Sequence, residues 1–250
     1  MKFELAKKLN QKKYRQQSGY CLLEGEHLLD ELEKSSLQDV ELWLTPDREN
    51  WDSRFTKHII SERQMSQLSD TRSPQGMIAS VSMVEMQQAA TSRSAQHSGS
   101  SSQLKTLYLF EIQDPGNLGT ILRSLAWFGG WRCLLSPGSV DPYNGKVIRS
   151  SMGAILNVPI ELDVPLEQLP ERFGKIATLD MKGSPIQDAS FQNFDCYLFG
   201  NEARGVPQQQ ADQMQLTRFT IPSGSSGSPG VESLNLGTAV STCVYELSRP

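Results

Sequence analysis

Apolar and polar positions in the second half of this 250-residue chain follow two alternating rhythms. Short apolar runs at 107–112, 132–135, 158–162, 176–179, 197–199 and 219–221 read as strands. Between most of them apolar residues recur at helical spacing. Leu118, Ile121, Leu122, Leu125 and Phe128 mark one helix face, closed by Gly129 and Gly130. This alternation predicts a parallel sheet with helices on both faces, whose ligands bind in loops at the carboxyl ends of the strands. The first half repeats the theme on a smaller scale. A helix over 3–16, strands at 20–24 and 40–44 with a helix over 26–33 between them, a polar helical stretch, and strands at 59–60 and 77–81 make a small α/β unit. Residues 86–104 are rich in Gln, Ser and Ala and lack spaced large apolar side chains, so they read as a flexible linker. The expected organisation is two domains, 1–85 and 105–250, joined by 86–104.

Composition narrows the class without naming a chemistry. With 38% hydrophobic and 21% charged residues, the 27.8 kDa chain has the balance of a globular protein rather than a disordered one. The opening residues alternate charge with apolar side chains, and no segment reaches bilayer-spanning length, so a cytoplasmic location and no membrane partner are expected. Cys21, Cys133, Cys196 and Cys243 are scattered and form no CxxC pair, so buried thiols are expected and no metal site. The formal charge of −4 argues weakly against a nucleic-acid partner. Its distribution argues the other way, because six cations oppose only Glu4 in the first twenty residues. Lys7, Lys8, Lys12, Lys13 and Arg15, with Tyr14 and Tyr20 nearby, form either a solvated amphipathic face or a surface for unpaired bases and phosphates.

Three loops, each following a strand, could carry chemistry. The first, Asp114-Pro115-Gly116-Asn117-Leu118-Gly119-Thr120, enters the helix that carries Arg123. It has neither the Lys of a P-loop nor the GxGxxG spacing of a dinucleotide fold. Read alone, it is a turn with an Asn cap, or a ligand loop with a solvated Arg123 beyond it. The second, Gly200-Asn201-Glu202-Ala203-Arg204-Gly205, brackets an Asn-Glu pair with glycines that allow close backbone approach. The third runs from Ile221-Pro222 through a Ser/Gly stretch at 223–230 to Glu232-Ser233-Leu234-Asn235-Leu236-Gly237. There Ser233 is either a helix cap or a site residue.

The ordered set NLGTILR, GNEARG, then IP and ESLNLG resembles the three motifs of the SpoU/TrmH family, RNA ribose 2′-O-methyltransferases that use S-adenosylmethionine. The resemblance covers 105–250 and includes the segment KVIRSSMGA at 146–154. Through its basic opening helix, Leu23-Glu24-Gly25-Glu26 and Ser73-Pro74-Gln75-Gly76, the first half resembles the L30e-like substrate-binding module often fused to these enzymes. This resemblance implies an α/β fold with a deep trefoil knot at its C-terminal end, an arrangement that general topology rules treat as exceptional. It also implies a homodimer with helices packed across its interface, and an RNA partner, ribosomal rather than transfer RNA.

The family's site residues map onto this sequence as follows. Leu198, Gly200, Glu202, Ile221, Ser233, Leu234, Asn235 and Gly237 are implied to hold the cofactor. Arg123, Asn117, Glu202, Ser233 and Asn235 are implied to act in catalysis, with Glu202 orienting Arg123 or the cofactor. No histidine offers itself as a base in the second half, since His27, His58 and His97 all precede Lys105. Arg123 takes that place in the family mechanism. A permanently protonated guanidinium better suits a clamp on the neighbouring phosphate. The stretch 223–230 departs from the short link usual in the family. It keeps open an alternative in which the chain retains the knotted fold as a non-catalytic RNA-binding protein.

Overall fold

A computed structural model of the chain describes residues 1–97, 104–224 and 233–249. The first half folds as α1 (Phe3–Ala6), a 3₁₀ turn at Lys7–Asn10, α2 (Lys12–Ser18), β1 (Tyr20–Glu24), α3 (Glu26–Glu33), β2 (Val40–Leu44), β3 (Thr56–Ile59), α4 (Glu62–Leu68), β4 (Met77–Ser82) and α5 (Met83–His97). Its sheet runs in the order β1-β4-β2-β3, antiparallel except for the β2–β3 pair. The second half contains β5 (Lys105–Leu109), α6 (Pro115–Phe128), β6 (Trp131–Leu135), α7 (Gly145–Ser151), β7 (Ile160–Glu161), α8 (Leu169–Arg172), β8 (Ile176–Pro185), β9 (Cys196–Phe199), α9 (Gln208–Gln213), β10 (Thr217–Thr220) and α10 (Leu236–Leu247). Its six strands run in the order β10-β8-β9-β5-β6-β7, and every pair is parallel, as the alternation predicts. Strand order reverses at β5, so the loops leaving β5 and β9 open side by side at the carboxyl edge, where α/β sheets bind ligands. All four cysteines are buried and free, and burial pushes the Cys133 and Cys196 thiols up to about 12.

Three expectations change. The opening helix is not continuous over 3–16: Gln11 is extended (φ −103°, ψ 131°) and separates the 3₁₀ turn from α2. This break turns α2 so that Arg15 points inward and is buried, which removes Arg15 from the basic face expected to meet RNA. Its Nε and Nη2 donate to Asp141 Oδ2 at 3.0 and 2.5 Å, and its Nη1 to the Leu9 carbonyl at 2.7 Å. In a buried setting this guanidinium needs all three partners. The linker expected at 86–104 is helical through His97, because Met86 and Ala90, one turn apart, bury a narrow apolar stripe. Gln87 Oε1 accepts from the Ile160 amide at 2.7 Å, and Arg93 donates to Asn157 Oδ1 at 2.5 Å, so α5 is docked on the second half. The rest of the stretch, 98–103, lies outside the described residues.

The halves are further joined by the ion pair of Arg149 with Asp70 and by His27 Nε2 against the Met152 carbonyl at 3.3 Å. One contiguous apolar cluster takes Leu23, Leu29 and Met86 from the first half and Ile148, Ile155 and Val158 from the second. At the far end, α10 returns from the β10 edge to lie on α6. Residues 225–232, between β10 and α10, lie outside the described residues, and with them the threading expected of a knot.

The Arg15–Asp141 pair has side chains only 5% and 12% exposed, so truncating the carboxylate leaves a buried cation. Asp141→Ala is expected to cost about 3–5 kcal/mol, and the apolar double change Arg15→Met/Asp141→Leu to recover most of it. Thermal unfolding of the two variants checks this.

Candidate active site at the carboxyl edge of the sheet

Asp114 caps α6, its carboxylate accepting from the Asn117 amide at 2.7 Å, with Pro115 as the first helical residue. The cap is therefore Asp114 and not Asn117, whose side chain is left free to reach neighbouring loops. Beyond β9 the chain doubles back at once. The Asn201 amide donates to the Gly205 carbonyl at 3.1 Å, and the reverse bond measures 2.8 Å. A Cβ on Gly200 would lie 2.3 Å from the Gly205 carbonyl carbon, so no side chain fits there. Asn201 is buried; its Oδ1 accepts from the Ala203 and Arg204 amides at 3.0 and 3.1 Å, and its Nδ2 donates to the Glu111 carbonyl at 2.8 Å.

This turn presents Glu202 to the first loop. The carboxylate accepts from the Gln113 and Asp114 amides, each at 3.3 Å, and from Asn117 Nδ2 at 3.2 Å. Asn117 Oδ1 accepts in turn from Asn235 Nδ2 at 2.9 Å. Asn235 Oδ1 caps α10 by accepting from the Thr238 amide at 3.3 Å. The three loops therefore meet in one polar chain, Asn235 to Asn117 to Glu202, beside the amino ends of two helices where a carboxylate is favoured.

Small residues set the helices in this register. A Cβ on Gly237 would lie 3.3 Å from Thr120 Cγ2; one turn on, Ser241 and Ser124 share a hydrogen bond of 2.6 Å; a further turn on, the Tyr245 and Phe128 rings are 6.2 Å apart. Partners rise together along both helices, so α10 runs parallel to α6. On another face of α6, Gly119 meets Ser150 of α7, where an added Cβ would lie 2.0 Å from Ser150 Oγ.

The structure thus brings together Asn117, Glu202 and Asn235, with Gly200 at the turn. Gly237 is buried against Thr120, where it serves helix packing. Leu198 is fully buried in the sheet and its carbonyl accepts from Thr178 Oγ1 at 3.2 Å, so its side chain faces the core. Ile221 is half-buried, whereas Ser233 and Leu234 are exposed, and the cap of α10 is Asn235 rather than Ser233. Arg123 stands apart. Six residues beyond Asn117, it lies about 9 Å along α6 and on a different face. It is exposed and makes no hydrogen bond or ion pair with other described residues, so Glu202 orients Asn117 instead. Glu111, Gln113, Asn201 and Arg204 also take part. Asn201 and Arg204 stand inside the GNEARG motif, while Glu111 carries no sequence signal. Among the described residues no group of three or more His, Cys, Asp or Glu is placed to hold a metal ion.

Comparison with known proteins gives the family. Residues 105–245 match the SpoU rRNA methylase family, and residues 4–79 match the MRM3-like substrate binding domain. The chain is 29% identical over 248 residues to the 23S rRNA (guanosine(2553)-2'-O)-methyltransferase RlmP of Bacillus subtilis, covering 96% of this chain and 93% of that one. Its fold is similar to an AdoMet-bound rRNA methyltransferase from Sinorhizobium meliloti (TM-score 0.77, 21% identity, 98% of this chain and 93% of that one). It is similar also to the SpoU methyltransferase AviRb from Streptomyces viridochromogenes in complex with AdoMet (TM-score 0.76, 20% identity, 98% and 96%). The chain belongs to the SpoU rRNA methylase family, a class of α/β methyltransferases, and carries the substrate-binding module in front of it.

The residues present fit S-adenosylmethionine. Gly200 lets the 200–205 turn close where a Cβ would strike the Gly205 backbone, half-buried Ile221 and 49%-exposed Leu234 are apolar residues of the third motif, and the Glu202 carboxylate joined to Asn117 is suited to a cation. Asn117→Ala cuts the polar chain at its centre. S-Adenosylmethionine affinity is expected to fall about tenfold, roughly 1.4 kcal/mol, measured by titration calorimetry.

Proposed function

We propose that this chain transfers a methyl group from S-adenosylmethionine to a ribose 2′-hydroxyl of ribosomal RNA. The observation that carries this reading is the convergence of the three motif loops through Asn235, Asn117 and Glu202 at the strand-order reversal. The family description and the printed name of the Bacillus relative support ribosomal RNA as substrate class. An intact polar chain across the loops favours an enzyme over a binding protein that has lost its chemistry.

When bound, S-adenosylmethionine supplies an electrophilic methyl whose leaving group is neutral, so the protein's task is mainly positioning. Holding the reacting atoms in line contributes on the order of 7–11 kcal/mol in favourable cases. Glu202, pinned by two backbone amides and Asn117, fixes the loop edge. The planar guanidinium of Arg123 acts as a fork on the phosphate beside the target, orienting the 2′-oxygen and stabilising charge that develops on it. RNA is captured by exposed Lys8, Lys12 and Lys13, with Lys7 beside Glu4 at 3.3 Å. Tyr14 lies beneath the Lys8 and Lys13 ammonium groups, 5.3 and 5.9 Å from its ring centre. A cavity of about 60 Å³ between Lys12 and Gln16 on one side and Ser139, Val140 and Leu162 on the other continues this surface toward the catalytic edge.

The assembled form is a homodimer in this reading. Trp127 is 85% exposed and Tyr245 57%, forming an apolar patch across α6 and α10. Arg123 is one turn from Trp127 on the same face, so two copies packed there draw each Arg123 out of solvent. Trp127→Glu is expected to convert the dimer to monomer in sedimentation velocity; a variant still dimeric would move the interface elsewhere.

Arg123→Ala is expected to lower single-turnover methylation of ribosomal RNA at least a hundredfold while S-adenosylmethionine binding is kept. Near-normal turnover would remove Arg123 from the mechanism. Ribose-methylation mapping of RNA with and without the gene identifies the target; an unchanged map would overturn the assignment.

A further inference from the structure

Glu111, two residues beyond β5, has φ +48°, a left-handed backbone that a side chain of this size seldom adopts. All its polar groups are engaged. Its amide donates to Ser136 Oγ at 2.7 Å, in the loop after β6. Its carbonyl accepts from Asn201 Nδ2 at 2.8 Å and from Gln113 Nε2 at 3.0 Å. Its carboxylate pairs with Arg204 Nη2 at 2.7 Å. One residue thereby ties together the loops that follow β5, β6 and β9. Glu202 lies between Asn201 and Arg204, so two contacts that hold its loop, beside the Asn201–Gly205 backbone pair, rest on Glu111. The left-handed turn aims the Glu111 carbonyl at Asn201 and its carboxylate at Arg204 together.

We infer that Glu111 is a positioning residue for the cofactor site: through Asn201 and Arg204 it orders the 200–205 loop and thereby holds the Glu202 carboxylate on the Gln113 and Asp114 amides. This rests on the cofactor reading above. The Glu111 carboxylate touches no reacting atom, and its pair with Arg204 is partly solvated, with side chains 34% and 72% exposed. Its effect is accordingly modest, about three- to fivefold on cofactor affinity.

The test uses the full chain and the variants Glu111→Gln, Arg204→Ala, their double, and Glu111→Asp. S-Adenosylmethionine binding is measured by calorimetry, and amide exchange is followed across 200–206 by mass spectrometry. Each single loss of the pair is expected to weaken binding three- to fivefold, and the double no more than either single, as befits one shared interaction. Glu111→Asp keeps a carboxylate and tolerates a left-handed backbone, so it should bind within twofold of wild type. The Asn201 and Gly205 amides should exchange faster in Glu111→Gln at an unchanged thermal midpoint. In turnover, KM for the cofactor should rise with kcat little altered. Wild-type affinity in Glu111→Gln, multiplicative single effects, or a loss in Glu111→Asp equal to that in Glu111→Gln would overturn the inference. A wild-type chain that binds no S-adenosylmethionine would overturn the cofactor reading instead, and the exchange arm would still decide whether Glu111 orders the loop.

Discussion

How closely α10 can lie along α6 governs everything at the catalytic edge. Asn235 reaches Asn117 only because the helices run parallel in one register, and that register is set by Gly237 against Thr120 and Ser241 against Ser124. A larger side chain at either contact would push the helices apart. The polar chain would open at its 2.9 Å link, since hydrogen bonds do not survive displacements of an ångström. The same helix is held on another face by Gly119 against Ser150, so α6 is confined between α7 and α10 and its amino end cannot drift. Close packing of small residues is thus the means by which polar groups far apart in sequence are held at bonding distance.

That constraint also explains the choice of polar groups. A carboxylate placed where two helices begin finds backbone amides with no other partner, and Glu202 accepts two of them before it engages any side chain. Asn117 is suited to the middle because an amide both donates and accepts: Nδ2 serves Glu202 and Oδ1 serves Asn235. With Asp114 capping α6 and Asn235 capping α10, each helix end is satisfied by a residue other than the central one. The first half of the chain is fixed to this edge by Arg15 on Asp141, which sets the basic face of α2 beside the loop after β6, while α5 docks through Gln87 where the chain enters β7.

The strands were largely legible because apolar runs of the right length leave few alternatives: β1 and β2 coincide with the predicted 20–24 and 40–44, and the helix between them, α3, with 26–33. The three motif loops were legible as a set, through spacing and order. Other features were not. The break at Gln11 leaves no mark in periodicity, so Arg15 read as one more exposed cation. The helix over Met83–His97 was hidden because its buried stripe consists of Met86 and Ala90 alone, too narrow to stand out among Gln and Ser. The caps proved to be Asp114 and Asn235, because the sequence offers several candidates at each helix start, Asn117 and Ser233 among them, and only backbone geometry chooses between them. Glu111 was invisible, since a left-handed backbone at a glutamate has no signature in composition.

By itself the sequence determined the class of fold, the strand and helix alternation, the location of ligand-bearing loops at the strand ends, and the residue types available there. Those are local properties, set by periodicity, propensity and turn chemistry within a few residues. Tertiary structure alone decided which residues meet: Asn235 with Asn117 across 118 positions, Glu202 with Asn117 across 85, Arg15 with Asp141 across 126. It also separated Arg123 from the groups it was grouped with, turning it to an exposed face beside Trp127. Such pairings depend on how closely helices approach and on the side to which each turns, which is settled by the packing of residues distant along the chain.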